Sequence, residues 1–480
     1  MTDASGLDAL TASKRWLAFA VLCFGDLMIV LDMTVVNVAL PSIKTDLGFS
    51  DASLVWVVNA YLLTFGGFLL LGGRLGDLYG QRRLFLAGLG IFTAASLACG
   101  LATTQTALIV ARAVQGIGGA IASAIALSLV INIFTDHSER AKAMGVFGFI
   151  MAGGGSIGVV LGGFLTTISW HWNFLINIPI GILVFVLCMY LLPKIPGVSR
   201  GERLDLAGAM TITTSLLLAN YAIIGGNDAG WMSLQTLGLF AASLLLFAAF
   251  VWIESRVSSP LVPLGVFRNR SLAISSVVGV LWAAAMFAWF FLSALYMQTI
   301  LQYDPQQVGL AFLPANLIMA VFSIGLSAAM VMRFGIRWPI AIGLGVSGLG
   351  LFLFARAPID GDFWIDVFPG MMLLGVGTGM AFNPVLLAAM GDVPQDQSGL
   401  ASGVVNTAFM MGGSLGLAIL VSIAAFQTAS ILASGADQPV ALNVGYHAAF
   451  FASGICAALA AALGFALREP PPEVLAEGAH

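Results

Sequence analysis

Charge is what this sequence has least of. Only 9% of its 480 residues are Asp, Glu, Lys or Arg, against about 25% in a soluble globular chain. That scarcity excludes a soluble domain, which must cover its surface with such residues. Cysteine and histidine are also rare, at four each. Cys23, Cys99, Cys188 and Cys456 all fall inside apolar runs, which argues against a disulfide framework or a metal site and for small apolar filler. Strict period-two alternation is missing, which excludes a transmembrane β-barrel. The first residues, "MTDASGLDALTASKRW", carry no basic stretch ahead of a short apolar core and read as a cytosolic tail, not a cleaved signal.

What the chain does have is hydrocarbon. Its composition is 59% hydrophobic, gathered into fourteen apolar segments, the first near 16–38 and the last near 446–467. Each approaches or exceeds the roughly 20 residues that cross a bilayer. Backbone groups in lipid must bond internally, so these segments are expected to be helices. With the N-terminus inside, sixteen of the 19 Lys and Arg fall on the cytoplasmic side, Lys44 and Arg356 outside, and Arg112 within a span. That asymmetry satisfies the positive-inside rule and returns the C-terminus to the cytoplasm. The 12–13 loop "GDVPQDQSG" is acidic on a side that the rule expects to be basic.

The chain also repeats weakly. "GDLYGQRR" has a worn counterpart in "MRFGIRW", aligning Gly80 with Gly335, and "GGGSIGVVLGG" has one in "MMGGSLGLA", aligning Gly158 with Gly412. The offsets are 255 and 254 residues. Two agreeing offsets point to two six-helix halves with two helices inserted between them, a duplication typical of secondary transporters. The expected divisions are 1–195 and 259–468 for the halves, 196–258 for the linker and insert, and 469–480 for a cytoplasmic tail.

The polar residues inside the spans carry the chemistry. Asp26 and Asp32 lie in the first segment, about 120° apart on a helix and so not on one narrow face. A mid-bilayer charge is costly and faces a bundle interior or water. Burial and a nearby cation push a carboxyl in opposite directions, so Asp32, exposed to each in turn, can load and release a proton. Asp26 either lines the cytoplasmic half of a cavity or snorkels to the inner interface. Gln115 shares a helical face with Arg112. Trp56, Asn59, Tyr61, Met286, Trp289, Asn316, Asn383, Asn406 and Met410 form the candidate substrate surface, since aromatic and Met side chains suit bulky amphipathic ligands, cations included. Gly73 and Gly76 permit close helix approach, and Gly154, Gly158, Gly162 and Gly163 form a smooth stripe. The "GVGTG" at 375–379 is no nucleotide loop, because no Walker lysine follows it.

These motifs carry a resemblance. "GRLGDLYGQRR" (73–83) resembles the loop signature between helices 2 and 3 of the major facilitator superfamily. "RAVQGIGGA" (112–120) is similar to its helix 4 signature, and "GSIGVVLGG" (155–163) to its helix 5 antiporter signature. "LDMTVVNVALP" (31–41), "WHWNFLINIPIG" (170–181) and "YMQTILQYDPQQVGLAFLP" (296–314) resemble the fourteen-helix drug:proton antiporters, the group of QacA and EmrB. Leu78 stands where the loop signature usually has Arg and Val159 where the helix 5 signature usually has Pro, and the thirteenth segment has no acidic residue.

The resemblance implies an all-α membrane protein with the major facilitator fold: two pseudo-symmetric six-helix bundles plus two inserted helices. It implies a proton-coupled exporter of amphipathic compounds, monomeric, in the plasma (inner) membrane, driven by the proton gradient without a cofactor. Asp32, Arg112 and Asp26 would couple protons, with Asp26 and Gln115 also meeting substrate. Arg112 would sit on a cavity helix near the first helix and oppose protonation of Asp32. Gly73, Asp77, Gly80, Arg82 and Arg83, with the glycine stripe, would serve the gate, Asp77 and Arg83 latching the halves on the cytoplasmic face and the stripe sealing against the other half. Export of a single metabolite, lipid or antibiotic is the alternative. A membrane enzyme is disfavoured by short loops and by scattered His137, His171, His447 and His480.

Overall fold

A computed structural model describes the backbone of residues 12–134, 136–192, 204–322, 326–390 and 398–467. The tail 469–480, linker residues 196–203, most of the 12–13 loop and the side chain of Asp77 lie outside the described residues. In chain order the long helices are α1 (Ala12–Leu47), α2 (Trp56–Tyr79), α3 (Gln81–Gly100), α4 (Gln105–Ile133), α5 (His137–Ile168), α6 (Asn177–Leu191) and α7 (Leu206–Ala229). They continue with α8 (Leu234–Arg256), α9 (Arg270–Leu295), α10 (Pro305–Val321), α11 (Arg337–Phe354), α12 (Phe368–Met390), α13 (Ser398–Ala433) and α14 (Gln438–Gly464). Among the described residues there is no strand.

Local chemistry sets the ends. Thr104 caps α4 by accepting from the Ala107 amide at 3.2 Å. Asp304 and Gln307 cap α10 reciprocally, with Pro305 at its first position. Gly80 and Gly335, aligned by the repeat, both end a helix with positive φ, +97° and +72°. That region is open to glycine at no steric cost.

Among the described residues, twelve helices are long and apolar enough to cross a membrane, so the chain is a multi-pass membrane protein. The predicted spans 143–168 and 308–332 fall on α5 and on α10 with the short helix Ser327–Phe334, both of which include residues outside the described ones, so neither is counted among the twelve. Those two elements pack along each other.

The repeat recurs in the packing. Added Cβ atoms at Gly154 and Gly162 of α5 would press on Leu27 and on the Val35 backbone of α1, at 2.8 and 2.9 Å, and one at Gly158 would meet Thr34 and Leu31 there. On α13, Gly412, Gly413 and Gly416 lie equally close against Val280, Phe287 and Ala284 of α9. Small residues let these backbones approach, which is where membrane helices gain their packing energy. The stripe therefore seals mainly within the N-terminal group of helices, contrary to the expected seam with the other half. Only Gly163 turns outward, to Pro305 of α10.

The cores reveal which end is shut. At the end away from the termini, Leu40 and Ile43 of α1 belong to one buried cluster with Met297, Ile300, Val308 and Phe312 from the α9–α10 region. At the end bearing the termini, α9, α11, α12, α13 and α14 keep a separate core around Val278, Trp282, Leu344 and Phe409. Gln298 donates to the Val38 carbonyl at 2.9 Å across the two groups at the far end. The far end is closed.

The inserted helices differ from each other. α8 exposes Leu244, Leu245 and Trp252 along its outer side. α7 lies against both α2 and α13, so this part of the insert is not peripheral. Asp205 caps it at the Gly208 amide, 2.7 Å, while Glu254 at the end of α8 accepts from the Val262 amide at 3.2 Å.

Candidate functional site

Five helices converge on Asp32. Its Oδ2 lies 2.5 Å from Nη1 of Arg112 on α4, and both side chains are 1% exposed. Its Oδ1 accepts from Gln115 of α4 at 2.7 Å and from Asn177 of α6 at 2.9 Å. Ser96 of α3 accepts from the same two amides at 2.6 and 3.1 Å. Arg112 also donates through Nε to the Val57 carbonyl of α2 at 3.0 Å and through Nη1 to Gln115 Oε1 at 2.7 Å. The Tyr61 ring lies 4.3 Å beneath the guanidinium and that of Phe174 lies at 5.6 Å. A buried ion pair persists only when its remaining lone pairs and protons are also satisfied. Here the amides and the ring do that.

Ser96 and Asn177 were not singled out in the sequence. Asn177 had a signal, a polar amide in the apolar run "NFLINIPIG". Ser96 had none, because a serine in a membrane helix is ordinary.

Asp26 is the opposite case. It is 1% exposed, and neither carboxyl oxygen has a hydrogen-bond partner among the described residues. The Ser123 hydroxyl of α4 is near enough to act on it electrostatically but makes no hydrogen bond of normal geometry. The snorkelling alternative fails on this burial. An unpaired buried polar group is costly and usually marks a functional position or an ordered water.

Most candidates on α2 are engaged elsewhere. Asn59 is fully buried and donates to Asn220 of α7 at 2.9 Å and to the Ser414 carbonyl of α13 at 3.0 Å. Trp56 packs on Tyr221 of α7, centroids 6.3 Å apart. Tyr61 and Gln115 belong to the Asp32 cluster. Trp56 and Gln115 are occupied in these packings, while Asn59 Oδ1 and the Tyr61 hydroxyl have no hydrogen-bond partner among the described residues.

The C-terminal candidates have more to offer. Trp289 is fully buried between Phe290 and Phe312, with centroids at 4.4 and 5.8 Å, and its Nε1 has no partner among the described residues. Asn316, 2% exposed, likewise leaves Nδ2 unspent. Met286, Asn383, Asn406 and Met410 are half-buried. Met286 and Met410 flank both cores. A cavity of about 590 Å³ lies at the far end, lined by Pro41, Asp46, Gln298 and Tyr303 among others, and holds none of the predicted substrate residues.

At the loop after α2, Gly76 packs on Ile125 of α4 at the limit of contact, 3.0 Å to an added Cβ. Gly73 has open space around it, so no close approach requires it. Arg82 donates to the Met189 carbonyl near the end of α6, and Arg83 is exposed.

Comparison with known proteins agrees with this architecture. The Major Facilitator Superfamily profile matches residues 22–417. The chain is 37% identical to the puromycin resistance protein pur8 of Streptomyces alboniger, over 89% of this chain and 85% of that one. It is 34% identical to the cephamycin export protein CmcT of Amycolatopsis lactamdurans, over 95% and 94%. It is 36% identical to the lincomycin resistance protein of Streptomyces lincolnensis, over 87% and 86%. Among solved structures, an auto-inhibited POT family peptide transporter superposes with a TM-score of 0.66 at 16% identity, covering 93% of this chain and 97% of that one. The xylose transporter XylE from E. coli gives 0.61 at 14% identity, with the same coverage. Twelve apolar helices among the described residues, paired glycine seams, a profile over most of the length and relatives matched nearly end to end lead to one assignment: this chain belongs to the major facilitator superfamily.

Proposed function

We propose that the protein is a proton-driven exporter of amphipathic organic compounds, working by alternating access as a fourteen-helix drug:proton antiporter. The observation that carries this reading is the Asp32–Arg112 pair, a buried carboxylate whose protonation would release a buried cation and so couple a proton to helix movement. Several relatives are named for resistance to, or export of, an antibiotic. The halves are 1–195 and 259–468 around the 196–258 insert. Sixteen basic residues on one side favour cytoplasmic termini in the inner membrane. The closed far end is then the outer face, and the molecule faces inward. Asp77 and Arg83 form the cytoplasmic latch that engages when that side closes. The protein works as a monomer, without a cofactor.

Unspent groups define what substrate would meet. Asp26 offers acceptor oxygens in the N-terminal half, while Trp289 and Asn316 offer donors in the other. A molecule bearing a cationic amine and acceptor oxygens on an apolar body satisfies both. A dedicated exporter of one compound is the second reading, favoured because several relatives are named for a single antibiotic.

Purified protein in vesicles with an imposed pH gradient, tested on cations, neutral drugs and lipids, decides between them. Gradient-dependent accumulation of several cations is expected. Accumulation of one compound alone selects the second reading, and accumulation that survives collapse of the gradient overturns proton coupling. Asp26→Asn should reduce transport of cations about tenfold or more, consistent with a charge-assisted contact of roughly 1.5–3 kcal/mol, and spare neutral compounds. Equal loss for both classes would show that Asp26 does not select charge.

A further inference from the structure

We propose that α7 of the insert is a moving part of the far-end gate, with Asn220 a positioning residue that holds Asn59 against the Ser414 carbonyl while that end is closed. This goes beyond the proposed function. It requires alternating access but neither proton coupling nor a particular substrate.

The geometry is a three-body knot at the seam of α2, α7 and α13. Asn59 spends its amide on two targets at once, Asn220 Oδ1 at 2.9 Å and the Ser414 carbonyl at 3.0 Å. Asn220 is itself oriented, because its own amide donates to the Leu216 carbonyl at 2.9 Å and so turns Oδ1 toward α2. Both asparagines are fully buried. Water cannot replace a lost partner there, and an orphaned amide would bear its desolvation cost.

Two helical turns further along, α7 is fixed to α13 differently. Asn227 donates to both the carbonyl and the hydroxyl of Ser422, at 2.9 and 3.1 Å. The Ser422 hydroxyl returns a bond to the Ile223 carbonyl at 3.3 Å. Trp231 braces the Asn227 amide at 3.0 Å. Residues 220, 223 and 227 share one helical face, so α7 presents a single polar edge along the seam. Toward α13 that edge makes reciprocal bonds involving backbone on both helices. Toward α2 it makes one side-chain bond, that of Asn59.

Opening the far end must part α2 from α13, and α7 cannot follow both. The reciprocal anchors at Ser422 make it travel with α13. The bonds that break are then those of Asn59, which one side-chain rotation releases together. Asn220 acts through Asn59: by holding one amide hydrogen it aims the other at Ser414.

Spin labels near the far ends of the three helices, at Ala52 ahead of α2, Asp228 on α7 and Leu432 on α13, test this in the full-length protein. The α7–α13 distance should be single-valued and the α2–α7 distance two-valued. Asn220→Ala should shift the population toward the open far end by roughly tenfold or less, the range of one net hydrogen bond. Asn59→Ala should shift it further. The double variant should match Asn59→Ala alone, because the two act as one unit. Asn220→Asp keeps an acceptor for Asn59 but loses the donor to the Leu216 carbonyl that aims it, so it should restore the parent distribution only in part. A merely structural Asn220 would lower the unfolding temperature without moving the distances. The proposal fails if α7 keeps its distance to α2 instead, if Asn59 and Asn220 shifts simply add, or if Asn220→Ala leaves the distribution unchanged. The wild-type distances decide even if a variant does not fold.

Discussion

Vesicles containing Asp32→Asn protein should show no substrate accumulation under a pH gradient, while substrate binding in the absence of a gradient persists. The side chain is the only acid in contact with Arg112 among the described residues, and Asn has no proton to exchange. The change also leaves a buried cation without its counter-charge, which generally costs about 3–5 kcal/mol. Arg112 keeps the Val57 carbonyl, Gln115 and the face of Tyr61, so the cost should fall toward the lower end. A drop in unfolding temperature is therefore expected alongside the loss of coupling. Asp32→Asn combined with Arg112→Gln removes both charges, and thermal stability should return while accumulation does not. Recovery of accumulation in the double variant would mean that the pair is structural and the proton travels elsewhere.

The second large effect belongs to the α5–α10 seam. A side chain at Gly163 would place its Cβ 2.6 Å from the Pro305 carbonyl, and one at Gly309 would come within 2.8 Å of the Val159 carbonyl. Both obstacles are backbone and cannot swing aside. Gly163→Val should therefore wedge the two groups of helices apart where they now close. Overpacking of this kind costs roughly 1–3 kcal/mol. Applied to one conformation of two, that biases the ratio by roughly 5–150-fold. Transport should fall in proportion, and distances across the far end should lengthen. Gly73→Val is the contrast. It alters a signature glycine, yet nothing lies within 4 Å of the added atom, so little change in transport is expected. Equal damage from both would place the effect in folding and not in the gate.

Burial explains why some candidates were read well and others not. Asp32, Arg112 and Gln115 could be picked out because charged and amide groups inside an apolar run are expensive and must find one another. Their meeting is largely a matter of composition. Asn59 and Trp56 looked the same in the sequence, yet they meet α7, because nothing in the run "WVVNAYLL" says which neighbour a polar residue will reach. The glycine stripe shows the same limit. Its spacing announced a close approach, but whether α1 or the other half stood opposite was set by the rotation of α5.

The sequence by itself determined that this chain spans a membrane many times as helices, that it carries a weak duplication, and that its family signatures sit at definite turns. Those properties are sums over residues: transfer to lipid adds along the chain, and a glycine with positive φ ends a helix wherever it stands. Only the tertiary structure decided that α7 sits between α2 and α13, that Asp26 has no well-formed hydrogen bond among the described residues while Asp32 is saturated, and that the far end is shut. In water, a helix advertises its buried side by an apolar stripe. In a membrane the lipid-facing and core-facing sides are both apolar, so a span reveals that it crosses but not which way it faces.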